Sequence, residues 1–140
     1  MRRAFDDVGV GDALPETSRL VTREDVKAYA DASGDQNPLH QDEEIAHAAG
    51  FPAIVAHGMF TMGHLASTVV AWAGETDALE SIQVAFRAPV FVGETIVAGG
   101  SVRSLDAATR SVTVDVWVRV DRDGRTEWPI RKSEAVVRLG

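Results

Sequence analysis

Apolar residues follow two rhythms along this chain, and the change between them falls near Gly74. Upstream they recur at helical spacing. Val26, Tyr29 and Ala30 share one face of a segment that Thr22 can open as an N-cap, with Asp25 at the position of a capping-box acid and Ser33-Gly34 as the exit. From Gly58 to Trp72 the residues are apolar nearly all round, Met62, Leu65 and Val69 among them, which predicts a helix buried on most sides. Gly74 is its stop. Between the two helices lies a polar stretch, Asp35 to Pro52, with a short helical piece around Glu43–Ala49. Pro38 shapes it by disfavouring helix at Asn37.

Downstream the period is two. Ser81–Arg87 alternates Ile82, Val84 and Phe86 with small or polar residues, Glu94–Leu105 follows, and Ser111–Asp121 alternates Val112, Val114, Val116 and Val118 with other residues. Asp123-Gly124 predicts a hairpin turn and Glu134–Leu139 a closing strand. Near the start, Phe5–Leu14 reads as an extended arm turning at Gly9 and Gly11, and Thr17–Val21 as a short strand. Pro129 would interrupt a central strand, so it is expected at an edge or a bulge. One buried helix with consecutive antiparallel strands predicts a single α+β domain over residues 1–140, its sheet wrapped round the helix. Such an open sheet has edges, and pairing edge to edge in a dimer is a natural way to protect them.

Composition narrows the function classes. Without cysteine there are no disulfides, thiolate metal sites or cysteine nucleophiles. A net charge of −7 argues against a nucleic-acid partner. No apolar run reaches the ~18 residues of a membrane span, and no secretory stretch follows Met1; the expectation is a cytoplasmic protein without a membrane partner. Walker-type loops, dinucleotide fingerprints and nucleophile elbows are missing from the sequence.

The chemistry-bearing residues concentrate in Ser33-Gly34-Asp35-Gln36-Asn37-Pro38-Leu39-His40. A turn at Asn37-Pro38 can bring the His40 imidazole back beside the Asp35 carboxylate. A carboxylate and an imidazole sharing one water can hydrate a conjugated thioester, one group deprotonating the water and another supplying the α-carbon proton. On residue types alone, the same loop is better accounted for by Asp and Asn bonding their own backbone. A second feature is His57-Gly58 at the entry to the apolar helix, where free N–H groups and the helix dipole favour a developing oxyanion. Gly58 there either admits a thioester oxygen or only permits tight entry into the helix. His57 reads as a hydrogen-bonded structural histidine, and His47 and His64 as packing or solvent-facing ones. No two histidines show a compact ligand spacing, so no metal is expected. Met59, Phe60 and Met62 fit either an acyl channel or ordinary core. Arg87 and Arg103 fit either carrier phosphates or solvent.

Taken together, Tyr29 through His40 and Ala56-His57-Gly58-Met59 resemble the hydratase-2 signature of the MaoC-like dehydratase family. The likeness extends to Asp42, Ala46 and Gly50 and to the later stretch from Phe86 to Thr95, nearly the whole chain. It is strongest to the small single-hotdog members, which include (R)-specific enoyl-CoA hydratases and the catalytic β-type subunit of (3R)-hydroxyacyl-acyl-carrier-protein dehydratase. The resemblance implies a hotdog fold and reversible hydration of a trans-2-enoyl thioester to a (3R)-3-hydroxyacyl thioester carried on CoA or acyl carrier protein. It implies Asp35 and His40 as the catalytic pair, Asn37 as their support, and the Gly58 N–H as receiver of the thioester oxygen. No cofactor beyond the substrate's carrier is implied. A homodimer, or a heterodimer with another hotdog subunit, is. Two other outcomes stay open: a subunit inactive without its partner, and a thioesterase on the same fold.

Overall fold

The computed structural model describes residues 1–140. Five strands form one antiparallel sheet: β1 (Thr17–Leu20), β2 (Leu79–Gln83), β3 (Thr95–Asp106), β4 (Ser111–Arg122) and β5 (Arg125–Arg138). Their order across the sheet is β1-β3-β4-β5-β2. The helices are α1 (Arg23–Ser33), α2 (Glu43–Ala48) and α3 (Gly58–Ala73). Helix α3 lies against β3 and also touches β2, β4 and β5, so the sheet curls round it as the two rhythms predict. Every second residue of β4 from Val112 to Val120 is buried, and these valines meet Leu65 and Val69 of α3 in one core.

The local signals operate as expected at most element ends. The Thr22 hydroxyl accepts the Asp25 N–H and opens α1, and Gly34, at φ +80°, ends it in the left-handed conformation that side chains disfavour. Asp42 caps α2 and Gly74 closes α3. Asp123 and Gly124 both have positive φ, the geometry of a two-residue hairpin turn. The N-terminal arm runs along β3, with Leu14 N–H donating to the Gly100 carbonyl.

Two expectations need correction. The strand expected over Ser81–Arg87 is Leu79–Gln83, and Phe86 keeps only an isolated bridge to Ile130. The ladder stops because Ala85 N–H turns to the Ser133 hydroxyl, where β5 bulges at Arg131-Lys132 opposite Trp117. The closing strand is not Glu134–Leu139 but the whole of Arg125–Arg138; the bulges hide its period. Pro129 sits at the first of them, where Trp128 and Pro129 together oppose Arg119, so a proline fits inside a strand that is not at the edge. Helix α3 is buried or half-buried on most sides, as its sequence predicts, and Met59, Gly63, Ser67 and Ala71 form an exposed stripe along it.

Close strand packing at Gly100 gives a stability prediction. A Cβ there would overlap the Asp115 carbonyl oxygen of β4, which is backbone and cannot step aside. Gly100→Ala is expected to destabilise the fold by about 1–3 kcal/mol, read as a lower urea midpoint with an unchanged slope.

Candidate active site

The site begins with a loop docked on the extended segment Ile54–Ala56. That segment is held against the other side of the domain by Ala56 N–H to the Val90 carbonyl and Val92 N–H to the Ile54 carbonyl. The loop joins it through Val55 N–H to the Leu39 carbonyl, at 3.1 Å. Within the loop, Asn37 Oδ1 accepts the Leu39 N–H and starts the single turn Pro38–His40. That turn swings His40 back toward Asp35.

The two side chains meet with their atoms assigned. Asp35 Oδ1 accepts the Asn37 N–H at 3.2 Å, leaving Oδ2 facing His40 Nε2 at 3.9 Å. His40 Nδ1 lies 2.6 Å from the Val55 carbonyl. A carbonyl only accepts, so Nδ1 carries the proton and the neutral ring presents the Nε2 lone pair to Asp35. A gap of 3.9 Å is too long for a direct hydrogen bond and suits a shared small molecule such as water. Asn37 thus supports the pair through its backbone N–H and its cap rather than by reaching into the site.

Helix α3 starts at the same place. Gly58 is its first residue, and the first N–H of a helix has no acceptor within the helix. His40, Gly58 and Thr61 line a cavity of about 380 Å³ together with Phe86, Arg87 and Pro129. Asp35 is not part of this lining and neighbours it through His40; its side chain is 52% exposed, whereas the His40 side chain is 15% exposed. Phe86 is the surprise. Its ring lies against Gly58, so that a Cβ at Gly58 would meet it at 3.2 Å, and it is itself half exposed. Nothing in its position within an alternating segment marked it as a cavity wall. The Pro89-Val90 part of the lining is tied down by the Arg122–Glu94 pair: Arg122 donates to both carboxylate oxygens at 2.7 Å and to the Pro89 carbonyl at 3.0 Å. Hydrogen bonding to Glu94 raises the Arg122 pKa further, despite opposing burial, so the tie stays charged.

The remaining candidates fall elsewhere. Met59 and Phe60 line a separate groove with Arg19 and Tyr29, and Met62 packs on the core, so none of the three lines the His40 cavity. Arg103 is held by Asp115 and Glu134 away from it, while Arg87 is at its wall. His47 bonds the Pro52 carbonyl, and His64 the Thr17 carbonyl. His57 is buried and bonds the Asp35 carbonyl from Nε2, at 3.1 Å, which agrees with a structural reading. Asp35, His40 and His57 each bring a possible ligand atom within 4.8 Å of the others. The two imidazoles, however, are stacked at 3.8 Å with planes 25° apart. Nitrogen lone pairs lie in the ring plane, and a single ion cannot lie in both of two stacked planes.

The model of the MaoC-like domain matches residues 10–123. The chain belongs to the MaoC-like domain family. It is 42% identical over 89 residues to the mitochondrial 3-hydroxyacyl-[acyl-carrier-protein] dehydratase of Arabidopsis thaliana, covering 63% of this chain and 52% of that one. It is 29% identical over 112 residues to the (R)-specific enoyl-CoA hydratase of Rhodospirillum rubrum, covering 78% of this chain and 76% of that protein. Among solved structures, a MaoC-like dehydratase superposes with a TM-score of 0.90 at 38% identity, over 99% of this chain and 43% of the other. The helix-in-sheet architecture is therefore the hotdog fold. The chain spans about half the length of the Arabidopsis relative, and no helix in it is long and apolar enough to cross a membrane.

Proposed function

We propose that this MaoC-like protein reversibly hydrates trans-2-enoyl thioesters to (3R)-3-hydroxyacyl thioesters, with Asp35 and His40 as its acid–base pair. One observation carries the reading: His40, whose Nε2 faces Asp35 Oδ2 across 3.9 Å, and Gly58, the first residue of α3, line the same cavity. Gly58 N–H and the helix dipole stabilise the enolate that forms when a nucleophile adds at C3. Water held between the carboxylate and the imidazole adds at C3, and the same pair supplies the α-carbon proton. The names of the Arabidopsis and Rhodospirillum relatives support this reaction class. No metal enters the scheme, in keeping with the stacked imidazoles. The substrate's own carrier, CoA or acyl carrier protein, is the only other group required.

The working unit is a homodimer in this reading, or a pair with another hotdog subunit, acting in the cytoplasm. Its support is the sheet edge at β2 and the exposed face of α3, both uncovered in one chain. The test is the purified protein alone with trans-2-enoyl-CoAs of increasing chain length, its mass in solution measured alongside. The expected result is loss of the conjugated-enoyl absorbance with an (R)-alcohol as product. An (S)-alcohol, or release of free thiol without hydration, contradicts the proposal.

A further inference from the structure

His57 is more than a filler at the mouth of α3. It is 3% exposed, and its ring lies between two others, the Tyr29 ring at 4.8 Å and the His40 ring at 3.8 Å. Nε2 bonds the Asp35 carbonyl, which can only accept, so the proton of the neutral ring sits on Nε2. Nδ1 is then a bare lone pair, and it is buried with no hydrogen-bond partner. A polar atom left in that state costs stability, and an apolar residue of similar shape would avoid the cost. A side chain kept only for packing has no need of it.

Both contacts of His57 end on the proposed acid–base pair. Its Nε2–H fixes the main chain of Asp35, the residue whose carboxylate must face His40, and its flat face backs the His40 ring. His40 is held in its own plane by the Val55 carbonyl, and the stack limits its motion out of that plane toward His57. We infer that His57 is a positioning residue: it clamps Asp35 and backs His40, setting the 3.9 Å gap between them, and it is retained for that alignment at a cost in stability. The inference rests on the proposed roles of Asp35 and His40.

Two substitutions separate clamp from ring. His57→Phe keeps a ring against His40 but loses the donor to Asp35 and the unpaired nitrogen. His57→Gln keeps a donor of similar reach. With His57→Phe, kcat for hydration is expected to fall by roughly 10–100-fold, the usual consequence of a small misplacement, with KM little changed and Tm at or above that of the native protein. His57→Gln is expected to regain most of the lost kcat. Native kcat in His57→Phe overturns the inference, as does an equal loss in both variants. A crystal structure of His57→Phe reads the alignment without any assay: the Asp35–His40 gap should widen there and return in His57→Gln. An unchanged gap overturns the positioning role. A widened gap in a protein that hydrates no enoyl thioester instead rejects the proposed activity and leaves the positioning role standing.

Discussion

Asp35→Asn and His40→Ala are each expected to lower kcat for enoyl-thioester hydration by about 10²–10⁴-fold, the range for loss of an acid–base group, with KM changed far less. The geometry explains why neither variant should unfold the protein. Asp35 is exposed, and an Asn there still accepts the Asn37 N–H through its oxygen, so the turn survives. What it loses is the anionic oxygen facing His40. Removal of the His40 imidazole frees the Val55 carbonyl beside a cavity water can enter and uncovers one face of His57, but takes no side chain from the apolar core. Steady-state kinetics with thermal melts alongside check both. The double variant should be little worse than the poorer single one, because groups sharing one water act as a unit. Near-native turnover in both single variants contradicts the assignment.

Gly58→Pro is expected to lower kcat by roughly 10²–10³-fold, the loss typical of one oxyanion donor, while the fold stays intact. Proline removes the N–H proposed to receive the thioester oxygen. It does so at the first helical position, where proline is preferred and no helical bond depends on that N–H. The preceding residue, His57, already has φ −61° and ψ 138°, the extended conformation that a following proline requires. The ring would press on Phe86, whose half-exposed side chain can move. Gly58→Ala is the control. It keeps the N–H and adds only the contact with Phe86, so a much smaller kcat effect is expected from it.

Much of this fold is legible in the sequence because the signals are local. Thr22, Gly34 and Gly74 stop and start helices through their own side chains or conformations, and the β4 valines declare their buried face by alternation. The failures come where the partner strand decides. Nothing within Ser81–Arg87 says that Ser133 will intercept the Ala85 N–H, and the two bulges of β5 break the very alternation by which a strand is read.

The site divides in the same way. The loop from Ser33 to His40 and the Gly58 entry to α3 are each visible as motifs, but their meeting depends on the 54–56 segment that carries both the Val55 carbonyl and the start of α3. His57 was legible as structural, and its contact with the Asp35 carbonyl agrees with that. Its stacking on His40 and its unpaired nitrogen depend on tertiary packing and leave no trace in spacing. Phe86 reaches Gly58 only because the ladder of β2 ends early.

The most direct measurement is a crystal structure of the Asp35→Asn protein soaked with crotonyl-CoA, an enoyl thioester short enough for the 380 Å³ cavity. The account predicts the thioester oxygen within hydrogen-bond distance of Gly58 N and the substrate C3 facing His40 Nε2 and residue 35. A thioester bound away from the mouth of α3, or with C3 turned from that pair, would contradict it.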